Sequence, residues 1–479
     1  MSVRQMIENI ERRYKYAVML IFLLSVLWFI NSVCSYAEPA QEWEQLPKIL
    51  ESIDIPVFPD RDFLITDFGA IGDGKTNCTE AIKAAIDACH QSGGGRVVVP
   101  EGVYLSGAIH LKSNVNLYLS KKATLLFTTD YRDYLPVVLT RFEGVECMNY
   151  SPLIYAYEQE NIAITGSGTL DGQAGPDNWW EWKGRNEYGW EEDEPNGDMD
   201  VNQLFQMAEN AVPVEDRIFG EGHYIRVNFI QFYKCRNIMI DSVKIIRSPM
   251  WVIHPVLSEN ITVQNVHINS HGPNNDGCNP ESSKNVLIKN CYFNTGDDCM
   301  AIKSGRNADG RRINVSSENI VIQGCTMRDG HGGVVIGSET SGNVRNVFIE
   351  DCIMDSPNLE RALRIKTNSL RGGIVENIFM QNCRIGEVTD AVIKINFLYG
   401  EGDVNNYVPI VKNIYIRNVT SRKSEYALYL VGYARSPISH IVIEDCDFKG
   451  VAQPSTISNC RELTFKNVFI NNEYYSYSP

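Results

Sequence analysis

A short segment recurs along the second half of the chain and constrains the fold more than any other feature. Its copies are CRNIMIDSVKI, SENITVQNVHI, SKNVLIKNCYF, SENIVIQGCTM, VRNVFIEDCIM, VENIFMQNCRI, VKNIYIRNVTS and ISHIVIEDCDF. The third residue of each copy, called the register residue below, is Asn237, Asn260, Asn285, Asn319, Asn346, Asn377, Asn413 or His440. After it, apolar and polar residues alternate, which is the period of a β-strand.

The spacing of the copies selects the architecture. Successive copies are 23 to 36 residues apart, with no clear helical segment between them. One strand type recurring at such an interval is typical of stacked coils, each of which buries its apolar face against its neighbours. A two-layer β-sandwich also repeats strands, but it would not keep Asn at one place in every copy. We therefore predict an all-β chain folded as a right-handed parallel β-helix.

The cysteines support this prediction. Six positions after the register residue, the copies hold Cys291, Cys325, Cys352, Cys383 and Cys446, or else Val243, Val266 and Val419. A position that accepts Cys or Val is apolar and points inward, because a free thiol behaves as a small hydrophobic group. We expect a column of buried thiols. Some of the cysteines outside this column could form disulfides, namely Cys78, Cys89, Cys147, Cys235, Cys278, Cys299 and Cys460.

The first residues of the chain are typical of an export signal. Four basic residues precede the apolar stretch 17–30, and small or neutral residues lead to Ala37. This is the order of a secretory signal peptide, whereas a membrane span needs about 20 apolar residues. A lipoprotein signal at Cys34 is the weaker alternative. We predict a signal peptide over 1–37, an N-terminal linker over 38–61 and a β-helix domain over 62–479, exported to the periplasm or the medium without membrane attachment.

A helix is predicted at the front of the solenoid, near 77–91. Ile82, Ala85, Ile86 and Cys89 fall on one face of it. Its expected role is to cap the first coil, whose strand edges would otherwise be exposed.

The repeat stops between 173 and 222, where an acidic segment and four tryptophans occur. We predict a loop insertion on the flank of the solenoid. Its tryptophans would form a small satellite core or, alternatively, stack on sugar rings at a binding groove. They are Trp179, Trp180, Trp182 and Trp190.

Charge restricts the partners. The formal net charge is −15, which argues against nucleic acid as a partner. It does not exclude an anionic small substrate, because a local basic patch can override the global field.

Ionisable residues gather around the stretch NTGDDCMAIKSG (294–305). Asp297 and His331 each stand twelve residues after a register residue, so they would occupy equivalent positions of consecutive coils, about 4.8 Å apart. Asp298 is the next position, and Asp276 comes from the preceding coil. The sequence thus predicts three carboxylates and an imidazole on one strip of the surface.

Two basic residues extend this strip. Arg364 and Lys366 alternate along a later strand, so they point to the same face while Ile365 points inward. Lys303 stands as far after Asn285 as Arg364 stands after Asn346, which predicts that Lys303 shares the Arg364 column.

This combination is suited to glycoside hydrolysis. Three close carboxylates cannot all stay ionised at low cost, so at least one should have a raised pKa. The protonated acid would protonate the glycosidic oxygen, an ionised carboxylate would activate water, and the basic pair would bind an acidic sugar. Each feature alone has a simpler explanation: turn chemistry for Asp276, a Ca²⁺ site for the Asp pair, a structural His331 or a solvated basic face.

The motifs NNDG (274–277), GDD (296–298), GHG (330–332) and RIK (364–366) resemble, in this order, those of glycoside hydrolase family 28, the polygalacturonases. The segments GAIGDGKT and GGGRVVVPEGVY near the front also look like this family. The resemblance extends from about Asp62 to the C-terminus. The visible departure is Asn275 where the family usually has Thr, and it leaves the carboxylate of Asp276 in place.

The resemblance implies an inverting hydrolase of α-1,4-galacturonosidic bonds in pectin or polygalacturonate that needs no metal or cofactor. Asp297 would be the general acid, Asp276 and Asp298 would activate water, and His331 would assist the acid. Arg364 and Lys366 would bind the galacturonate carboxylate. The family also uses a tyrosine one coil later, for which Tyr399 is the candidate, although another register would put Phe397 there.

Four hypotheses remain. SPMWVIHP, GRNADGRR and the Trp-bearing insertion look like the exo-acting bacterial branch, since an insertion could wall off one end of a groove, so exo-polygalacturonase action is favoured over endo. The alternatives are a rhamnogalacturonan or xylogalacturonan hydrolase, a Ca²⁺-dependent pectate lyase on the same fold and a non-catalytic carbohydrate-binding β-helix. We expect the partner to be a pectic polysaccharide or oligogalacturonide and the protein to be a monomer.

Overall fold

The computed structural model describes residues 43–477, in which strands stack in parallel from coil to coil. Positions that follow the register residues pair with one another: Ile261 pairs with Val286, and Val286 with Ile320. Two successive strands of most coils belong to one long sheet, and a third lies in a separate row. The fold is a right-handed parallel β-helix, as the repeat predicts.

Each row contains one strand from each coil that contributes to it. The first row of the long sheet is Asp62–Leu64, Gly95–Val99, Val115–Leu119, Glu160–Gly166, Arg236–Asp241, Glu259–Gln264, Lys284–Lys289, Ser317–Gln323, Val344–Glu350, Ile374–Gln381, Ile410–Arg417, Ile438–Phe448 and Cys460–Ile470. The second is Asp73–Asn77, Gly102–Ser106, Ala123–Phe127, Thr169–Asp171, Lys244–Ile246, His267–Ser270, Tyr292–Thr295, Thr326–Met327, Ile353–Met354, Arg384–Glu387 and Thr420–Lys423.

The third row carries the candidate site and is built from two shorter sheets. The first consists of Ile109–His110, Ile154–Tyr157, Ile230–Tyr233 and Ile253–Val256. The second consists of Met300–Ile302, Val334–Gly337, Arg361–Lys366, Ala391–Asn396, Tyr426–Val431 and Thr456–Ser458. Single bridges from Ile253 to Cys278 and from Cys278 to Met300 join them. Outside the rows lie Val138–Phe142, Val145–Asn149, Ile218–Phe219 and Glu473–Tyr474.

The register residues form an asparagine ladder. All eight have a φ between 53° and 60°, a left-handed conformation that Asn tolerates better than most residues. The Nδ2 of each Asn donates to Oδ1 of the Asn one coil earlier at 2.9–3.3 Å. The ladder continues upstream to Asn161 and Asn114. The segment alignment missed these two because the insertion separates their coils from the rest.

The cysteine column is confirmed. Its five cysteines and three valines are at most 2% exposed, and they face the interior. All cysteines of the described residues are free thiols, so the disulfides considered for the others do not occur in this part of the chain.

The capping helix is confirmed as Thr79–Gln91, with Ile82, Ala85, Ile86 and Cys89 buried. The remaining helices are Gln45–Glu51, Asp198–Glu209 and Asn307–Ile313, with 3₁₀ turns at Ile65–Phe68, Tyr131–Tyr134, Glu181–Lys183, Asn186–Tyr188 and Val214–Asp216. Among residues 43–477, no helix combines the length and apolarity needed to cross a membrane.

The predicted signal peptide over 1–37 lies outside the described residues. The chain divides into two compact units, 1–48 and 49–479. Of the first unit, residues 43–48 are described; they include the start of the helix Gln45–Glu51, which falls in the predicted linker.

The insertion over 173–222 packs differently from the prediction. Trp179 and Trp182 are buried and join the main core rather than a satellite core, because they pack on aromatic rings of the preceding coils. A separate small cluster forms instead around Leu204 and Ala208 of the helix Asp198–Glu209, together with Trp251. None of the insertion's four tryptophans lines the cavity described below, so the sugar-stacking alternative has no support there.

Candidate active site

The turns that precede the third-row strands bring the predicted acid–base residues together. The N–H of His331 donates to the carbonyl of Asp297 at 3.2 Å, so these two occupy equivalent positions in consecutive coils, as predicted. The N–H of Gly277 donates to the carbonyl of Asp298, which places Asp276 beside Asp298 in the adjacent coil. One oxygen from each of the three carboxylates lies within 4.8 Å of the others.

The loop that carries Asp276 is fixed by buried hydrogen bonds. Asn275 Oδ1 accepts from the hydroxyl of Ser270 at 2.5 Å and from the N–H of Gly272 at 2.9 Å. Arg226, which follows the insertion, donates to the carbonyl of Pro273 at 2.6 Å. The unusual Asn275 therefore has a structural role, shaping the turn that presents Asp276.

The basic pair lies against Asp298. Lys366 Nζ donates to Asp298 Oδ2 at 2.7 Å, and Arg364 Nη1 lies 3.6 Å from Asp298 Oδ1. Gly332, the second glycine of GHG, lies beside this pair. A Cβ there would lie 2.5 Å from Cγ2 of Val335, so Val335 would have to shift, whereas Asp298 Oδ1 at 3.6 Å and Arg364 Cβ at 3.8 Å would be in ordinary van der Waals contact.

Tyr399 lies at the cavity, whereas Phe397 is buried in the core. The Tyr399 ring centroid is 5.3 Å from Arg364 Cζ and 5.2 Å from Lys366 Nζ. The structure therefore places Tyr399 beside the basic pair.

The predicted column of Lys303 is wrong. Ala301 pairs with Val335, and Val335 with Arg364. Lys303, two residues after Ala301, therefore shares the column of Lys366. The error arises because the turn between Asn346 and its third-row strand is two residues longer than the turn after Asn285, and counting from the register residue does not detect this.

All seven predicted site residues line one cavity of about 690 Å³. Several further charged or aromatic residues of its wall are not marked by the sequence patterns above, namely Glu143, Trp251, Arg306, Glu339, Arg371 and Glu401. They lie on turns or on a distant hairpin, outside the strand alternation that reveals columns. Only their ionisable or aromatic character could have marked them, and many surface residues share it.

An ion-pair network centred on Arg306 ties four of these wall segments together. Its guanidinium nitrogens lie 3.6 Å from Glu143 Oε2, 3.6 Å from Glu339 Oε1 and 3.7 Å from Glu401 Oε1. The guanidinium also lies 3.9 Å from the ring centroid of Phe205, on the insertion helix. The insertion thereby reaches the cavity through a cation–π contact.

The pKa values of the carboxyl groups diverge. Burial, followed by the negative charge of Asp297, raises the pKa of Asp276 well above its ordinary value. Burial also acts to raise the pKa of Asp297, but the hydrogen bond from His331 and the charges of His331 and Lys366 outweigh it, and that pKa is lowered. The same hydrogen bond raises the pKa of His331 to about 9. At least one carboxyl therefore has a raised pKa, as the crowding predicts, and it is Asp276.

The three carboxylates offer a donor set that divalent cations use. Two ammonium groups already face them, however: Lys366 at 2.7 Å from Asp298 and Lys303 at 3.7 Å from Asp276. A divalent ion would be repelled by both, so this donor set fits a metal poorly.

A parallel β-helix with three clustered carboxylates and an adjacent Arg–Lys pair defines a class, the β-helical acid–base hydrolases of acidic sugars. Residues 221–472 match the family described as glycosyl hydrolases family 28, and residues 63–131 match "Rhamnogalacturonase A/epimerase, pectate lyase-like". The chain belongs to glycoside hydrolase family 28 and is a glycoside hydrolase.

Relatives and solved structures agree with this assignment. A probable polygalacturonase of Vitis vinifera is 30% identical over 83% of this chain and 77% of its own length. The exo-poly-alpha-D-galacturonosidase of Dickeya chrysanthemi is 27% identical over 87% of this chain and 72% of its own length. The crystal structure of an exopolygalacturonase from Thermotoga maritima is 47% identical, with a TM-score of 0.85 over 90% of this chain and 96% of that one.

Proposed function

We propose that this protein is an exo-acting polygalacturonase that hydrolyses α-1,4-galacturonosidic bonds by inversion. The observation that carries the proposal is the joint position of the Asp276, Asp297 and Asp298 carboxylates beside Arg364 and Lys366 in one cavity. Family membership supports hydrolysis, and the relatives from Dickeya and Thermotoga support the exo mode.

Arg364 and Lys366 bind the carboxylate of a galacturonate unit through charge-assisted hydrogen bonds. Both are nearly buried, with side chains 11% and 8% exposed, so their charges are weakly screened. Tyr399 lies beside both cations and supplies a ring against which the sugar can pack. This arrangement favours galacturonate over a neutral sugar such as rhamnose in the same position.

Asp297 donates the proton to the glycosidic oxygen, the role implied by its place in the GDD motif. In the free protein the pair formed with His331 holds its proton on the imidazole, because the pKa of Asp297 is lowered and that of His331 is raised. Bound galacturonate brings negative charge to Lys366, one of the cations that lower the Asp297 pKa. Substrate binding therefore acts to raise the Asp297 pKa, which favours transfer of the proton across the hydrogen bond to the carboxylate.

Asp276 and Asp298 hold and activate the water. Asp298 Oδ1 has no hydrogen-bond donor among the described residues, so it can accept a hydrogen bond from the attacking water. The oxygens within 4.8 Å are closer than the ~6.5–9.5 Å that usually separates the carboxyl groups of inverting glycosidases. Inversion here requires the water to sit beside the acid, between Asp276 and Asp298, rather than between two widely spaced carboxyl groups.

The exo mode rests on the Arg306 network. Its ion pairs join the hairpin tip at Glu143, the turn at Glu339 and the loop at Glu401, and we infer that this wall closes one end of the cavity. A cavity closed at one end accepts a chain terminus and releases one unit at a time. The same proposal includes export through the signal peptide over 1–37, because the polymer lies outside the cell. It also includes action as a monomer.

The test is product analysis on polygalacturonate in the presence of a chelator, with Asp297→Asn as the matched inactive variant. Galacturonate monomer from the first time point, without unsaturated sugars, is the expected result. Mixed oligomers would instead indicate endo action, and an unsaturated product lost with chelator would indicate a lyase. No product from this polymer, with product from rhamnogalacturonan or xylogalacturonan, would support the sister activity.

A further inference from the structure

Lys303 is a buried cation beside the Asp276 carboxylate. Its side chain is 4% exposed, and its Nζ lies 3.7 Å from Asp276 Oδ2. The same ammonium donates to Glu339 Oε2 at 3.0 Å and to the carbonyl of Gly337 at 3.3 Å. A charged side chain that is nearly fully buried is retained only when its partners compensate for lost hydration.

The residues behind Lys303 hold its position. Its Nζ lies 4.5 Å from the ring centroid of Trp251. The Trp251 ring packs edge-on against His254 at 4.9 Å between centroids, and His254 Nε2 is hydrogen-bonded to Glu281 Oε2 at 2.8 Å. All of these side chains are at most 2% exposed, so the ammonium cannot move away from Asp276 without disrupting packed groups.

We propose that Lys303 is a positioning residue that opposes protonation of Asp276 and orients its carboxylate for water activation, with Glu339 and Trp251 holding Lys303 in turn. The inference rests on the proposed hydrolase function. It assigns a role in the site to the last residue of the segment DDCMAIK (297–303), which lies outside the four motifs.

The charges around Asp276 show why such a cation is needed. Asp297 and Asp298 face it and favour its protonation, whereas Lys303 and Lys366 oppose them. Lys366 is engaged at 2.7 Å with Asp298, which leaves Lys303 as the cation nearest Asp276 within the described residues. The remaining contact of Asp276 is a hydrogen bond from Asn279 Nδ2 at 2.9 Å, which also favours the carboxylate form.

The experiment measures pH profiles of kcat and KM on polygalacturonate for Lys303→Met, Lys303→Arg and the matched control Lys412→Met. Lys412 also forms a lysine–glutamate pair, 3.2 Å from Glu376, away from the cavity. We expect Lys303→Met to lower kcat more than 10-fold with little change in KM. The acidic limb of the kcat profile, where activity falls as the pH is lowered, should move to higher pH by about one unit. Lys303→Arg should keep the limb near its wild-type position, and Lys412→Met should match the wild type.

Glu339→Gln gives a test of opposite sign. It removes the anion that shares the ammonium, so the acidic limb should move to lower pH, and this shift should be smaller in the Lys303→Met background. A folded Lys303→Met protein with an unshifted acidic limb would overturn the inference, as would a Glu339→Gln shift that is equally large without Lys303. If Lys303→Met does not fold, the sign of the Glu339→Gln shift decides, since an acidic limb that stays in place or moves to higher pH would overturn the inference.

A second measurement does not need the substrate. Infrared difference titration follows the carboxylic C=O band, and Asp276→Asn identifies the contribution of Asp276. Lys303→Met should raise the pH at which this band disappears. A wild-type protein inactive on polygalacturonate would contradict the proposed function, whereas an unchanged band would contradict the role of Lys303.

Discussion

The Nδ1 of His331 lies 2.9 Å from Oδ1 of Asp297, from equivalent positions in neighbouring coils. This hydrogen bond couples the two residues into one acid–base unit, because it raises the His331 pKa to about 9 and lowers the Asp297 pKa. At neutral pH the unit therefore consists of the Asp297 carboxylate and a charged imidazole. In the proposed mechanism, the charge of the bound substrate returns the proton to Asp297.

His331→Gln should lower kcat at least 10-fold and remove an alkaline limb near pH 9. The wild-type activity should fall as His331 loses its proton, since the unit then holds no proton to deliver. The pH profile of kcat/KM checks this, with His440→Gln, which changes a histidine on the ladder, as the control. An alkaline limb that survives in His331→Gln would assign it to another group.

The same pair predicts how stability depends on pH. The His331 pKa is raised from 6.5 to about 9, so its contribution is complete below about pH 6.5 and is lost as the pH rises through 9. The Asp297 pKa is lowered from 3.8, so its contribution is complete above about pH 4 and is lost in more acidic solution. The difference in Tm between wild type and His331→Gln should be largest between about pH 4 and 6.5. A difference that grows above pH 9 would contradict the ion pair.

The roles of Asp297 and Asp276 can be separated by comparing two substrates whose leaving groups differ in their need for a proton. Asp297→Asn should lose about 100-fold or more on polygalacturonate but retain much more on an aryl galacturonide, whose leaving group needs no proton. Asp276→Asn should lose activity on both substrates, because water activation is needed in each. The opposite pattern would make Asp276, the carboxyl with the raised pKa, the acid.

The stereochemistry is a separate measurement on the same substrates. Proton NMR of the first product should show the inverted anomer. Because the carboxylate oxygens lie closer than is usual for inversion, a retained anomer would indicate that one of them acts as a nucleophile.

The asparagine ladder predicts a stability effect away from the site. Asn319 has a φ of 57° and bonds to Asn285 and Asn346 at 3.0 and 3.1 Å. Asn319→Gly keeps the conformation and loses both bonds, which should cost about 1–3 kcal/mol. Asn319→Ala adds left-handed strain and should cost about 1 kcal/mol more. Urea unfolding measures both, and equal losses would mean that the backbone conformation contributes nothing.

The fold and the centre of the site could be predicted from the sequence because both follow the coil repeat. Asn at one position in each coil fixed the register, and the register brought Asp297 next to His331. Where coils differ in length the same counting fails, as it did for Lys303, since two extra residues before Arg361–Lys366 shift the row. Glu143, at the tip of a hairpin, and Arg306, directly before the helix Asn307–Ile313, meet across a long sequence separation, and no local pattern encodes that contact.

The Arg306 network can be tested as the determinant of the exo mode. Arg306→Gln combined with Glu143→Gln removes one positive and one negative charge, so it loosens the wall without changing the net charge of the cavity. We expect the fraction of oligomeric products to rise and monomer release to slow several-fold, because chains can then extend past the former end. The matched control is Arg312→Gln with Glu146→Gln, an ion pair on the same helix and hairpin but outside the cavity, which should keep the wild-type products. Monomer as the sole product of both double variants would show that another part of the wall selects the chain end.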